Sequence, residues 1–142
     1  MKFDEALIYG IEVEFKILNL IKKKYPKAFM SIGKCSEWDI YVPEKNIYIE
    51  VKSDVKSNYT GNILIECEMY NKPSGINITK SDYWIIYDGK FHWFLTQQIK
   101  KCIKDINPRL IKIIGNGDTQ PKLVYLIKKN ILLKYQCLEN DI

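Results

Sequence analysis

The stretch from Glu37 to Lys52, EWDIYVPEKNIYIEVK, constrains the fold of this chain more than any other. Trp38, Ile40 and Val42 alternate with Glu37, Asp39 and Tyr41. After a turn at Pro43-Glu44-Lys45-Asn46, Ile47, Ile49 and Val51 alternate with Tyr48, Glu50 and Lys52. Alternation with a period of two marks half-buried strands, so the stretch predicts a β-hairpin with one apolar and one polar face. A turn centred between Glu44 and Lys45 sets Val42 against Ile47 and, further out, Asp39 against Glu50. Two carboxylates facing each other across a ladder, with Cβ atoms about 5 Å apart, repel and destabilise the sheet. On strands otherwise this favourable, such a pair points to a divalent cation, because Mg²⁺ prefers carboxylate oxygens. Lys52 lies on the same face, two residues beyond Glu50, within reach of a metal-bound water or a phosphate. The plainer alternative is a solvated hairpin face carrying three surface charges.

The rest of the composition narrows the field. A chain of 142 residues is expected to form a single domain, residues 1–142, with one core. A hydrophobic fraction of 46% and an aromatic fraction of 13% exclude a disordered chain. The net charge of +5 favours a polyanionic partner. Cys35, Cys67, Cys102 and Cys137 are scattered, and His92 is the lone histidine, so neither a zinc site nor a disulfide framework is expected. Reduced thiols imply a cytoplasmic protein. No apolar run approaches the length of a membrane span, so no membrane partner is expected.

In chain order, residues 4–24 read as an amphipathic helix in which Ile8, Ile11, Phe15 and Leu18 recur at helical spacing, joined by Ile17 and Ile21. Asp4 and Glu5 suit its N-terminus and Lys22-Lys23-Lys24 its C-terminus, and Pro26 stops it. Glu12 looks solvent-facing, whereas Glu14 sits within or beside the apolar stripe and needs either a salt-bridge partner or a site to serve. Residues 28–33 read as a short strand. Residues 62–68 read as a third strand, with Leu64, Glu66 and Glu68 on one face. A Gly/Pro/Ser loop follows over 70–78. Thr79 and Asp82 resemble a capping box opening a short helix. Ser74 and Gly75, with Lys72 and Lys80, could hold a phosphate, although a plain connecting loop serves as well. Tyr83 to Tyr87 and Lys90 to Leu95 flank Asp88-Gly89 as a second hairpin. His92 on it reads as structural, without a carboxylate partner. Thr96 is placed to cap a helix ending at Ile106. Strands are expected over 109–114 and 122–127, around a Gly115/Gly117 loop. Residues 128–136 read equally as helix or strand.

Asp39 followed by Glu50-Val51-Lys52 resembles the signature of the PD-(D/E)XK nucleases: one Asp, then Glu-x-Lys on the next strand. Trp38 stands where the Pro of the family name would be. GIEVE, residues 10–14, is similar to the Gly-x-x-x-Glu on the first helix of archaeal Holliday junction resolvases, with Glu14 as the helix glutamate. The resemblance implies an α/β (α+β) fold with a restriction-endonuclease-like αβββαβ core. A mixed central sheet would be flanked by helices over about residues 4–95, with a C-terminal β-rich extension over 96–142. It implies an endonuclease that hydrolyses DNA and leaves a 5′-phosphate, with Asp39, Glu50, Lys52 and Glu14 catalytic. Mg²⁺, for which Mn²⁺ can substitute, would be held by Asp39, Glu50, the Val51 carbonyl and Glu14, with Glu66 or Glu68 accessory. Lys56, Lys72, Ser74 and Lys80 are the expected DNA contacts, and a homodimer acting on branched DNA is the expected assembly. The alternative is a non-catalytic or sequence-specific DNA-binding protein on the same fold.

Overall fold

A computed structural model describes residues 3–32, 37–114 and 120–137. Gly33, Cys35, Gly115 and Gly117 lie outside the described residues, as does the side chain of Asp4. A helix α1 (Phe3–Lys22) leads to β1 (Phe29–Met30), β2 (Ile40–Val42) and β3 (Ile47–Ser53). A short α2 (Ser57–Thr60), β4 (Asn62–Met69), β5 (Lys72–Pro73) and a 3₁₀ turn at Gly75–Asn77 come next. They are followed by β6 (Tyr83–Tyr87), β7 (Phe91–Leu95) and α3 (Thr96–Ile106). The remainder is β8 (Arg109–Ile113), β9 (Lys122–Lys128), α4 (Lys129–Leu132) and a 3₁₀ turn at Leu133–Tyr135.

The strands form two sheets. The first is five-stranded and mixed, in the order β1-β2-β3-β6-β7, with β3 and β6 parallel and the other pairs antiparallel. The second is four-stranded, in the order β5-β4-β9-β8, and antiparallel. The fold is therefore mixed α and β. Among the described residues no helix is long and apolar enough to cross a membrane.

The first sheet is the middle layer. On one face Val13, Ile17, Leu18 and Ile21 of α1 pack on Ile40, Val42, Ile49, Val51 and Ile85. On the other, Trp84, Ile86 and Phe94 meet Ile63 and Ile65 of β4, Ile127 of β9, Ile99 and Cys102 of α3, and Leu132 of α4. Both faces of β6 are thus covered, which is why YWIIY reads as a continuous apolar run. Each fully buried Ile or Leu contributes about 1.5–3 kcal/mol of transfer free energy, so these two clusters dominate the stability.

The hairpin keeps the register its alternation predicts: Val42 faces Ile47, Tyr41 faces Tyr48 and Ile40 faces Ile49. Trp38 does not side with Ile40. β2 begins at Ile40, so the alternation lapses before it, and the indole packs with Tyr41 and Tyr48 on the opposite face. On α1 the buried stripe is Val13, Ile17 and Ile21, whereas Ile8, Ile11 and Phe15 are 57%, 40% and 50% exposed. The apolar arc of this helix is wider than one sheet can cover, and the part around Val13 faces the hairpin.

Four further expectations change. The strand predicted at 62–68 exists as β4, but it pairs with β5 and β9, not with the hairpin. Parallel β3 and β6 need a long crossover, and that crossover builds the edge of the second sheet. No helix starts at Thr79. Its hydroxyl instead accepts the Ser81 N–H and the Trp84 indole N–H, at 3.2 Å each. Thr96 does not cap α3; it is the first helical residue, and its hydroxyl donates to Ser81 O at 2.6 Å. His92 has a carboxylate partner after all. Its Nε2 lies 2.9 Å from Asp88 Oδ2, and Lys129 of α4 meets the same carboxylate. Residues 128–136 leave β9 and continue as helical turns.

Candidate active site

Three separate segments bring their charged groups together at the end of β2. Asp39 lies just before β2, and its N–H still donates to Ile49 O at 2.9 Å. Its side chain turns onto β3, where Oδ2 accepts the Val51 N–H at 2.7 Å. Glu50 and Lys52 share one face of β3, and Lys52 Nζ lies 3.0 Å from Glu50 Oε1. Glu50 is only 7% exposed, with Trp84 of β6 beside it across the parallel ladder. Glu14 reaches the same place from α1, within hydrogen-bonding reach of Asp39. Glu12, on the same helix, points to solvent.

The electrostatics are strained. Burial, then the Asp39 and Glu50 charges, push Glu14 up to about 7. Burial also pushes Glu50 up to about 7; Lys52 opposes this and Asp39 adds to it. Burial raises Asp39 too, against the Val51 N–H and Lys52. For Lys52, burial acts to lower the pKa. The Glu50 carboxylate, with Asp39 and Glu66 behind it, outweighs that and holds the ammonium above its ordinary value. Lys52 also lies over the Trp84 ring, 5.8 Å from its centroid. Three carboxylates thus share one ammonium.

Glu50 Oε2 is buried and has no hydrogen-bond partner among the described residues. An orphaned carboxylate oxygen beside two others is the donor set a hard divalent cation takes. Asp39, Glu50 and Glu14 therefore suit such an ion chemically. Asp39 is within hydrogen-bonding reach of both Glu14 and Glu50, but among the described residues no group of three or more His, Cys, Asp or Glu is arranged to hold a metal ion.

The other sequence-predicted residues are more scattered. Val51 has its side chain in the core beneath α1 and its N–H on Asp39. Glu66 pairs with Lys122 Nζ at 3.4 Å and lines, with Lys52, a crevice between the two sheets. Glu68 lies further along β4, opposite Pro73 and Leu123, outside that crevice. Lys56 precedes α2, Lys72 is on the outermost strand of the second sheet, and Lys80 leads into β6; all three are exposed. The Ser74 N–H is engaged by Cys67 O at 3.0 Å, so it is not free for a phosphate. Sequence reasoning missed Trp84 beneath Lys52 and Lys122 beside Glu66. The β-prone run at 83–87 carried a signal for Trp84, but its parallel pairing with β3 was not legible.

No protein-family model, curated protein or solved structure matches this chain.

Proposed function

We propose that this chain is a metal-dependent endonuclease of the PD-(D/E)XK type, with a restriction-endonuclease-like core, that hydrolyses DNA phosphodiester bonds and leaves 5′-phosphates. One observation carries the reading. Glu14, Asp39, Glu50 and Lys52 come from α1, the start of β2 and β3, and meet at one place with a carboxylate oxygen of Glu50 unpaired. A surface hairpin has no need to bury such a group.

Asp39, Glu50 and Glu14 are the residues that would hold Mg²⁺ or Mn²⁺. Bound there, the ion supplies Lewis-acid polarisation of the phosphate and acidification of a water. The Val51 N–H fixes the Asp39 carboxylate, so one ligand is oriented in advance. Lys52, held protonated by its carboxylate neighbours, is suited to stabilise negative charge on the phosphoryl oxygens and to orient the attacking water. It is not suited to remove a proton from that water in the same charge state.

A homodimer and a preference for branched DNA belong to the same proposal. The exposed stripe Ile8, Ile11 and Phe15 supports a second copy. Acidic Glu5 and Glu12 precede the middle of α1 and basic Lys16, Lys22 and Lys23 follow it. Two such helices packed antiparallel about a twofold axis set opposite charges together. The decisive assay is incubation of linear, nicked, branched and single-stranded DNA with the protein in Mg²⁺ and in EDTA. Cleavage in Mg²⁺ alone, abolished by Glu50→Gln, is the expected result. Full activity of Glu50→Gln, or none of the wild type with any metal, removes the reading.

A further inference from the structure

Outward from Glu50 on the same face of β3 the next side chain is Tyr48, about 7 Å away along the strand. Tyr41 stands opposite Tyr48 on β2, and their rings stack with centroids 4.6 Å apart and planes at 28°. Trp38 closes on both, at 5.2 Å from Tyr48 and 6.2 Å from Tyr41. Phe29, opposite Tyr41 on β1, adds edge contacts of 5.7 Å to Tyr41 and 6.2 Å to Trp38. These four rings belong to neither core cluster. Phe29 is 49% exposed and the other three are half-buried. Among the described residues the second sheet and α3 pack on the Trp84 and Phe94 end of this face and not on the aromatic end.

A contiguous, partly exposed aromatic cluster outside the core is the kind of surface that binds a partner. Its position beside Lys52 and the carboxylates says what binds. Lys45 adjoins Asn46, which accepts the Tyr41 hydroxyl at 2.7 Å, and the Lys80 N–H donates to Glu37 O, next to Trp38, at 3.0 Å. Both lysines are exposed and flank the rings. The acids at the rim include Asp82, whose carboxylate accepts the Tyr48 N–H at 2.8 Å. Exposed Glu37 and Glu44 also border the rings, so the rim is of mixed charge, with Lys45 and Lys80 as its cations, and the aromatic surface runs on to Lys52 along the same face. Base π-faces are covered in a duplex and open in an unpaired strand.

We infer that Phe29, Trp38, Tyr41 and Tyr48 form a stacking platform for unpaired bases of a DNA strand whose adjoining phosphate lies at Glu50 and Lys52. The placement of that phosphate rests on the proposed nuclease reading. The platform makes the substrate one with a single-stranded segment beside the scissile bond.

Fluorescence titration with oligothymidylate in EDTA, where nothing is cut, tests it. Trp84 and Trp93 are 1% and 4% exposed, so quenching reports on Trp38. The expected result is saturable quenching, lost in Trp38→Leu. Tyr41→Leu and Tyr48→Leu should each weaken oligothymidylate binding about tenfold, as one lost base stack predicts, and change affinity for a fully paired duplex less than about twofold. Phe29→Ser, at the exposed rim, carries little risk to folding and should shift the same ratio in the same direction. Absence of quenching, or equal losses for single strand and duplex, overturns the platform. A protein that binds and quenches as expected but cuts no DNA in Mg²⁺ keeps the platform and loses the nuclease reading. One that cuts DNA while the Leu variants bind oligothymidylate normally loses the platform alone.

Discussion

Lys52 is held between Glu50, Asp39 and the Trp84 ring, and that position decides its role. Its neighbours raise its pKa, so it enters any reaction as an ammonium. A cation aimed at developing phosphoryl charge acts in the transition state and adds little to ground-state binding. Lys52→Ala is therefore expected to lower kcat by about 100-fold or more, the scale of one lost electrostatic donor, with DNA affinity within about threefold of wild type. Single-turnover kinetics beside an anisotropy titration separate the two. An affinity loss with kcat unchanged would make Lys52 a plain phosphate contact. Glu50 differs in kind, because its ionised form is buried and pushed up to about 7 by desolvation. Glu50→Gln removes a charge that the fold tolerates poorly, so at pH 8 without metal it should melt no lower than wild type while losing cleavage. A variant that unfolds would make Glu50 structural.

Two elements, α1 and the hairpin, carry the site, and they were legible to different degrees. The hairpin's register followed from its own alternation and turn, because an antiparallel pair joined by a short turn is a local structure. That register already set Tyr41 against Tyr48. Trp38 departs from the predicted face because alternation holds only while the strand does, and β2 begins at Ile40. The helix was harder: two apolar stripes compete on its surface, and which one faces the sheet depends on the sheet. Helical spacing puts Glu14 near the buried side, but its approach to Asp39 is a tertiary fact. β4 was legible as a strand, whereas its membership of a second sheet depended on β9, more than fifty residues away. Glu14→Gln should lower kcat/KM about tenfold or more, the effect of losing a group that supports a metal site, against less than about twofold for exposed Glu12→Gln. Equal small effects would remove α1 from the chemistry. On the stripe of the same helix, Phe15→Glu is expected to convert a dimer to monomer in sedimentation without lowering the melting temperature, since the side chain is 50% exposed. A wild-type monomer on and off DNA would leave the stripe unexplained.

At the scale of the whole molecule, the carboxylate cluster makes stability depend on pH in a direction opposite to that of an ordinary salt-bridged protein. Glu14 and Glu50 are raised from 4.5 to about 7, and Asp39 is raised as well. Between about 4.5 and 7 the folded state therefore binds protons that the unfolded state has released. Stability is full below that window and falls as the pH rises through it. Asp88 acts in the other direction. Burial would raise it, but Lys129, the Lys90 N–H and His92 outweigh burial and hold it below its ordinary value. Its contribution is present above the unfolded pKa of 3.8 and is lost only in stronger acid, outside the window of the glutamates. In EDTA the melting temperature is thus expected to fall by several degrees between pH 5 and pH 8, which corresponds to about 1 kcal/mol or more for a chain of this size. Coordination selects the deprotonated carboxylates, so millimolar Mg²⁺ should raise the melting temperature strongly at pH 8 and hardly at pH 5, flattening the profile. Asp39→Asn should weaken both the fall in EDTA and the rescue by Mg²⁺. Calorimetry at the two pH values, with and without the metal, reads all of this without any DNA present. A profile that falls with pH but ignores Mg²⁺ would leave a strained acidic cluster with no metal to relieve it, and a profile that rises from pH 5 to pH 8 in EDTA would mean that the three carboxylates are solvated and do not form a site.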